Sequence, residues 1–209
     1  MFVSDRIAKM RYVRPADRWQ PITPDVLHQT PVSVRDWLGW PDSLTEQLSN
    51  HLGDLVQVRV LSERVDRLLA DEREHLTTVS RMARIREVRL EVRGTAYVVA
   101  RTVFPDSTAR VMDNALKQLG TRSLGSLLFG MPRAPVCARE LTCMRSNSAL
   151  WRVLSRHLPS DSSALWARRA LHRLQGQPLL VTEIFLPQLF TKTYPARAQS
   201  STATPIVDF

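Results

Sequence analysis

The sequence predicts an α+β fold, an antiparallel β-sheet with helices gathered against it, and three observations carry that prediction. Stretches of alternating apolar and polar residues recur along the chain, and two pairs of them are joined by tight glycine turns, the signature of hairpins and so of antiparallel pairing. Segments with apolar residues at helical spacing lie between these stretches, without the strict strand-helix alternation that would imply a parallel sheet. The chain has 209 residues, 44% of them hydrophobic and 23% charged, which suits one domain with a single substantial core.

Taken in order, residues 23–53 read as short helices. Thr23 and Pro24 form a cap followed by proline at the first helical position, and Ser33 precedes the apolar spacing Val34, Trp37, Leu38. After Pro41, Ser43 and Glu46 have the form of a capping box; Leu44, Leu48 and Leu52 then make one face, stopped by Gly53. Val56, Val58 and Val60 alternate with polar residues, as in a strand, whereas residues 63–75 are charged and fit either strand or helix.

The first hairpin runs from Met82 to Val92, turns at Gly94-Thr95 and returns from Tyr97 to Phe104. Helical spacing of Val111, Ala115, Leu116 and Leu119 ends at Gly120, and a short helix is expected from Ser123. A strand is read from Val136 to Met144, then a helix capped by Asn147 and stopped by Pro159. Residues 165–174 and 179–186, with Gln175-Gly176 between them, form the second hairpin. The domain is expected to span residues 1–187; residues 188–209, rich in Ser, Thr, Ala and Pro, read as a mobile tail.

Composition excludes several classes of function. The net charge of +9 favours anionic partners, but the arginines are dispersed and no nucleic-acid-binding motif is present, so no nucleic-acid partner is expected. Part of that charge is accounted for by an ordinary solvated surface. Two cysteines, Cys137 and Cys143, make no redox or zinc motif, and the five histidines have no ligand spacing, so neither metal nor cofactor is expected. The absence of a long apolar run argues against a membrane span, and the reduced cysteines suit a cytoplasmic protein.

Charges in apolar positions point to a site. In the first hairpin Met82, Val88, Leu90 and Val92 define an apolar face that also carries Arg86, while Glu87, Arg89, Glu91 and Arg93 mark a wet one. A turn at Gly94-Thr95 sets Val88 opposite Arg101, which makes Arg86 and Arg101 diagonal neighbours on one face. Two such cations call for a dianionic ligand, for protein carboxylates, or for a sheet edge that is wet at that point. Glu183 lies within the apolar run Leu179 to Leu186 and faces Arg168 across the second hairpin, so it is either paired there or held for a ligand. Leu44 and Leu124 follow the capping serines Ser43 and Ser123, and their backbone amides can bind a carboxylate.

Several segments, in the same order, resemble bacterial chorismate-pyruvate lyases. They are Arg86-Glu87-Val88-Arg89-Leu90, Ala100-Arg101-Thr102-Val103-Phe104-Pro105, Leu116-Lys117-Gln118-Leu119-Gly120 with Leu124-Gly125-Ser126-Leu127-Leu128-Phe129, Leu165-Trp166-Ala167-Arg168-Arg169, and Thr182-Glu183-Ile184-Phe185-Leu186-Pro187. The resemblance implies a monomeric, cofactor-free lyase that splits chorismate into 4-hydroxybenzoate and pyruvate in a cavity closed by helical flaps. It implies that Arg86, with the amides of Leu44 and Leu124, holds the ring carboxylate, that Glu183 meets the ring hydroxyl, and that Arg101 lines the same cavity and engages the enolpyruvyl carboxylate. Leu44 stands where the family has a methionine, and the stretch between Arg145 and Ser163 is longer than in shorter relatives. The alternative is an effector-binding domain of the same fold, as in bacterial transcription regulators.

Overall fold

The structure, a computed structural model, describes residues 18–128 and 136–191. The start of the chain, Phe129 of the leucine-rich motif and the expected tail from residue 192 onward lie outside these residues.

Seven antiparallel strands form one sheet in the order β1-β5-β6-β7-β4-β3-β2. They are β1 (Gln20–Pro21), β2 (Gln57–Arg67), β3 (Met82–Val92), β4 (Thr95–Phe104), β5 (Val136–Arg145), β6 (Ala164–Leu174) and β7 (Gln177–Phe185). The helices are α1 (Pro24–His28), α2 (Val32–Gly39), α3 (Leu44–Leu52), α4 (Ala70–His75), α5 (Asp106–Val111), α6 (Asp113–Leu119), α7 (Gly125–Leu128) and α8 (Ala149–Leu154). The fold is α+β, as the hairpin pattern predicts. The ambiguous stretch after Val60 divides between the two readings, since β2 continues to Arg67 and α4 follows.

Helices cover both faces of the sheet. On one face α1, α2 and α3 pack at one end, where Val34, Trp37, Leu38, Leu44, Leu48 and Leu52 join Leu90, Val98 and Phe185 in a core cluster. Ser43 caps α3 by accepting from the Glu46 amide at 3.3 Å, and Gly53 ends it at φ 68, a left-handed conformation that glycine takes without a Cβ clash. At the other end of this face lie α5, α6 and α7, whose cluster unites Met112, Leu116 and Leu128 with Phe104 and Leu179. A gap remains between the two helical groups.

The opposite face carries α4 and α8; Leu150, Trp151 and Leu154 of α8 pack on Val99, Ile184 and Ala167. The cap of α8 is Ser148, which accepts from the Trp151 amide at 2.9 Å, one residue after the expected Asn147. Because this face is covered, Glu87 and Glu91, expected to be wet, are buried. The domain also continues beyond the expected boundary at residue 187: a 3-10 turn at Pro187–Phe190 buries Leu189 in the first cluster, at 2% exposure.

The two hairpin turns have the same form. Gln175 (φ 51) and Gly176 (φ 78) connect β6 and β7, as expected, with positive φ at both central residues. In the first hairpin the turn residues are Arg93 (φ 51) and Gly94 (φ 75), one place earlier than expected. Val92 therefore pairs with Thr95, and a bulge follows, since Glu91 pairs with Ala96 but Leu90 with Val98. The two shifts combine to set Val88 opposite Ala100 and Glu87 opposite Arg101.

Candidate active site

A one-residue change of register exchanges the faces of a strand, and here it separates the two arginines. Arg86 pairs with Thr102 and faces the gap between the helical groups. Arg101, expected beside it, lies on the opposite face at 2% exposure, held by Glu72 (2.7 and 3.2 Å) and Glu87 (2.8 Å). Ser62 completes the group by donating to Glu87 at 2.9 Å. Arg101 thus does not line the cavity as expected; it is a buried cation neutralised by two carboxylates, the arrangement that makes such burial tolerable.

The gap holds a cavity of about 90 Å³, well above the ~10–15 Å³ that one water needs and on the scale of a small organic molecule. Its floor follows from side-chain size. One row across the sheet reads Arg86, Thr102, Val181, Ala170, Arg139, and the next Val88, Ala100, Glu183, Arg168, Leu141. The small residues Thr102, Ala100, Ala170 and Val181 leave a depression, with long charged side chains at its margins. One wall is the start of α3, with Ser43, Leu44 and Thr45, and the facing wall is the entry to α7, with Ser123, Leu124 and Gly125.

The walls expose backbone donors as well as side chains. The first internal bond of α3 is from the Gln47 amide to the Ser43 carbonyl, so the Leu44 and Thr45 amides precede the helical ladder. Across the cavity, the first bond of the α7 turn runs from the Ser126 amide to the Ser123 carbonyl, after Leu124. The α7 helix itself starts at Gly125, later than the expected Ser123.

Arg86 is 4% exposed and is positioned by two groups, the Glu63 carboxylate at 2.6 Å and the Gly120 carbonyl at 2.5 Å. Gly120, at φ 49, ends α6 in a conformation that favours glycine and so brings its carbonyl over the sheet. Burial pushes the Glu63 carboxyl up, but hydrogen bonds from Arg84 and Arg86 outweigh this and hold it below the usual range. A protein carboxylate therefore meets part of the demand of Arg86. Sequence spacing does not find it, because spacing within β2 says nothing of its alignment with β3.

Glu183 lines the cavity opposite Ala100 and accepts a hydrogen bond from Arg168 Nε, its partner across the hairpin as expected. Two strand spacings and two residues along the strand separate Arg86 from Glu183, placing their Cα atoms about 12 Å apart. Each is held at its own margin of the cavity, Arg86 by Glu63 and Gly120 and Glu183 by Arg168, so a cation and a carboxylate line opposite sides of its floor. Arg122, Arg139 and His172 also line the cavity. None of these three stands out in the sequence, since an arginine between Gly120 and Leu124 or on a half-buried strand breaks no pattern.

The sequence matches the family described as Chorismate lyase over residues 16–194. This chain belongs to the chorismate lyase family. Among its relatives, a protein of Thiobacillus denitrificans named "Probable chorismate pyruvate-lyase" is 37% identical over 164 residues, covering 78% of this chain and 87% of that one. A protein of the same name from Alcanivorax borkumensis is 35% identical over 186 residues, covering 88% and 83%. The effector domain of PhnF from Mycobacterium smegmatis is 10% identical with a TM-score of 0.45, covering 69% of this chain and 88% of that one. Likeness of that degree carries no functional argument. For a chorismate lyase family member, the cavity between the two helical groups is the candidate active site, and no helix among the described residues is long and apolar enough to cross a membrane.

Proposed function

We propose that the protein converts chorismate into 4-hydroxybenzoate and pyruvate in this cavity, with no added metal or cofactor. The observation that carries the reading is the opposition of a buried arginine, Arg86, and a carboxylate, Glu183, across a floor of small residues in a chain of this family. Chorismate has a ring carboxylate and, across the ring, a hydroxyl; Arg86 takes the first, together with the amides of Leu44 and Leu124, and Glu183 takes the second. The dianionic substrate suits a chamber whose lining holds more arginines than carboxylates. With Arg101 on the far face, the enolpyruvyl carboxylate meets the cavity cations Arg122 and Arg139.

Chemically, the proton on the hydroxyl-bearing carbon is lost and the ether bond to the enolpyruvyl group breaks. The electron pair of the C–H bond enters the ring, which becomes aromatic, and the ether oxygen leaves as enolpyruvate. Protonation of enolpyruvate at carbon gives pyruvate, so one proton leaves the ring and one is taken up. Aromatisation drives the step, and the protein contributes orientation, charge complementarity in the cavity, and a base in Glu183.

Two variants separate the roles. Arg86→Ala removes the anchor, and binding of chorismate and of 4-hydroxybenzoate weakens together by about 2 to 5 kcal/mol. Glu183→Gln keeps size and hydrogen bonding but removes the base, so turnover falls about 100-fold or more while product binding changes little. Near-normal single-turnover rates in folded Glu183→Gln would remove the catalytic assignment.

A further inference from the structure

The partner of Glu183 does more than neutralise it. Arg168 is 8% exposed; its Nε donates to Glu183, and its Nη1 donates to the main-chain carbonyls of Trp37 at 2.8 Å and Trp40 at 2.9 Å. The Trp37 carbonyl lies in the last turn of α2, where it would ordinarily accept from the amide four residues on. That residue is Pro41, which has no N–H, so the carbonyl needs a donor from elsewhere. Arg168 supplies it from the sheet. The same guanidinium carries positive charge to the C-terminal end of the helix, where it is favoured.

Trp40 and Pro41 lead directly into the capping residue Ser43 and the first amides of α3. A second strand arginine, Arg139, donates to the carbonyls of Trp40 and Pro41 as well. The link between α2 and α3 is therefore fastened to β6 and β5 through its carbonyls, and the fastening on β6 also bears the carboxylate of the candidate site.

We propose that Arg168 is a positioning residue for the reaction, tying the aim of Glu183 to the seat of the α2–α3 link on the cavity. This rests on the reading of Glu183 above. One guanidinium fixes both: Glu183 against the sheet, where it meets the ring hydroxyl, and residues 40–45, where the Leu44 amide meets the ring carboxylate. Arg168 is the cation bonded to Glu183 across its hairpin, and the same side chain reaches the link.

The test uses the full chain with Arg168→Met, Arg168→Lys and Glu183→Gln, and reads amide hydrogen exchange beside turnover. Arg168→Met is expected to speed exchange at the Glu46 and Gln47 amides, which bond to Ser43, by about 10-fold while β3 and β4 stay protected. Glu183→Gln, which leaves both carbonyl contacts in place, is expected not to do so. In turnover, Arg168→Met lowers kcat by about 10-fold or more with a smaller change in KM, and the Arg168→Met/Glu183→Gln double variant is slowed by clearly less than the product of the two single losses. Arg168→Lys, which keeps the charge but cannot span three acceptors, lies between wild type and Arg168→Met in both readouts. A uniform rise in exchange over all elements, additive losses in the double variant, or wild-type kcat in folded Arg168→Met would overturn the proposal. If the wild-type protein does not convert chorismate, the functional reading fails, while the exchange pattern still decides whether Arg168 seats the link.

Discussion

Arg86 and Arg101 are separated by the sheet itself, and their different surroundings give them different consequences. Arg101 has its charge enclosed by Glu72 and Glu87 on the face away from the cavity. Arg101→Ala leaves two buried carboxylates short of a partner and is expected to cost about 3 to 5 kcal/mol of stability. The affinity of the folded fraction for 4-hydroxybenzoate should stay near that of wild type; a large loss of affinity with unchanged stability would show that Arg101 reaches the ligand. Glu63 supplies a pH test of the other arginine. Its carboxyl is held below the usual range by Arg84 and Arg86, against the upward push of burial. A depressed folded-state value means that its contribution to stability is present above the ordinary glutamate range of about 4.3 and is lost as pH falls through the lowered value. Melting temperatures between about pH 3 and 6 should therefore fall less steeply for Glu63→Gln than for wild type. Parallel curves would remove Glu63 as a partner of Arg86.

Among the elements, both hairpins are legible in the sequence, and so is the pairing of Glu183 with Arg168, because the Gln175-Gly176 turn is followed by an unbroken ladder. Arg86 is legible through the alternation of β3 alone. Arg101 is not, because its face depends on counting through a turn and a bulge, and nothing local marks the bulge between Leu90 and Glu91. Glu87 and Glu91 read as solvated for a related reason: alternation tells which residues share a face, but what covers that face is decided by distant helices. Composition misplaces the end of the domain because Leu189 stands just ahead of a stretch rich in Ser, Thr, Ala and Pro, while its burial comes from the cluster it joins with α2 and α3. Leu189→Ala is expected to cost about 2 to 5 kcal/mol in chemical denaturation. A cost near zero would return residue 189 to the tail.

In the molecule as a whole, one sheet sets its buried ion pairs and the candidate site on opposite faces. The covered far face holds the buried ion pairs of Arg101 and the apolar cluster under α8. The near face is left open where the two helical groups fail to meet, and there the small residues of β4, β6 and β7 form the floor of the cavity. Cys143 stands apart from this chemistry, since burial pushes its thiol up to about 11, away from reactivity. The division of faces is only partly visible in the sequence, where helix content is evident but the side of the sheet that each helix takes is not. The assigned reaction is read most directly by incubating the purified chain with chorismate in a chelating buffer and quantifying both products. Equal amounts of 4-hydroxybenzoate and pyruvate are expected as chorismate disappears; unchanged chorismate, or pyruvate released without 4-hydroxybenzoate, would contradict the assignment.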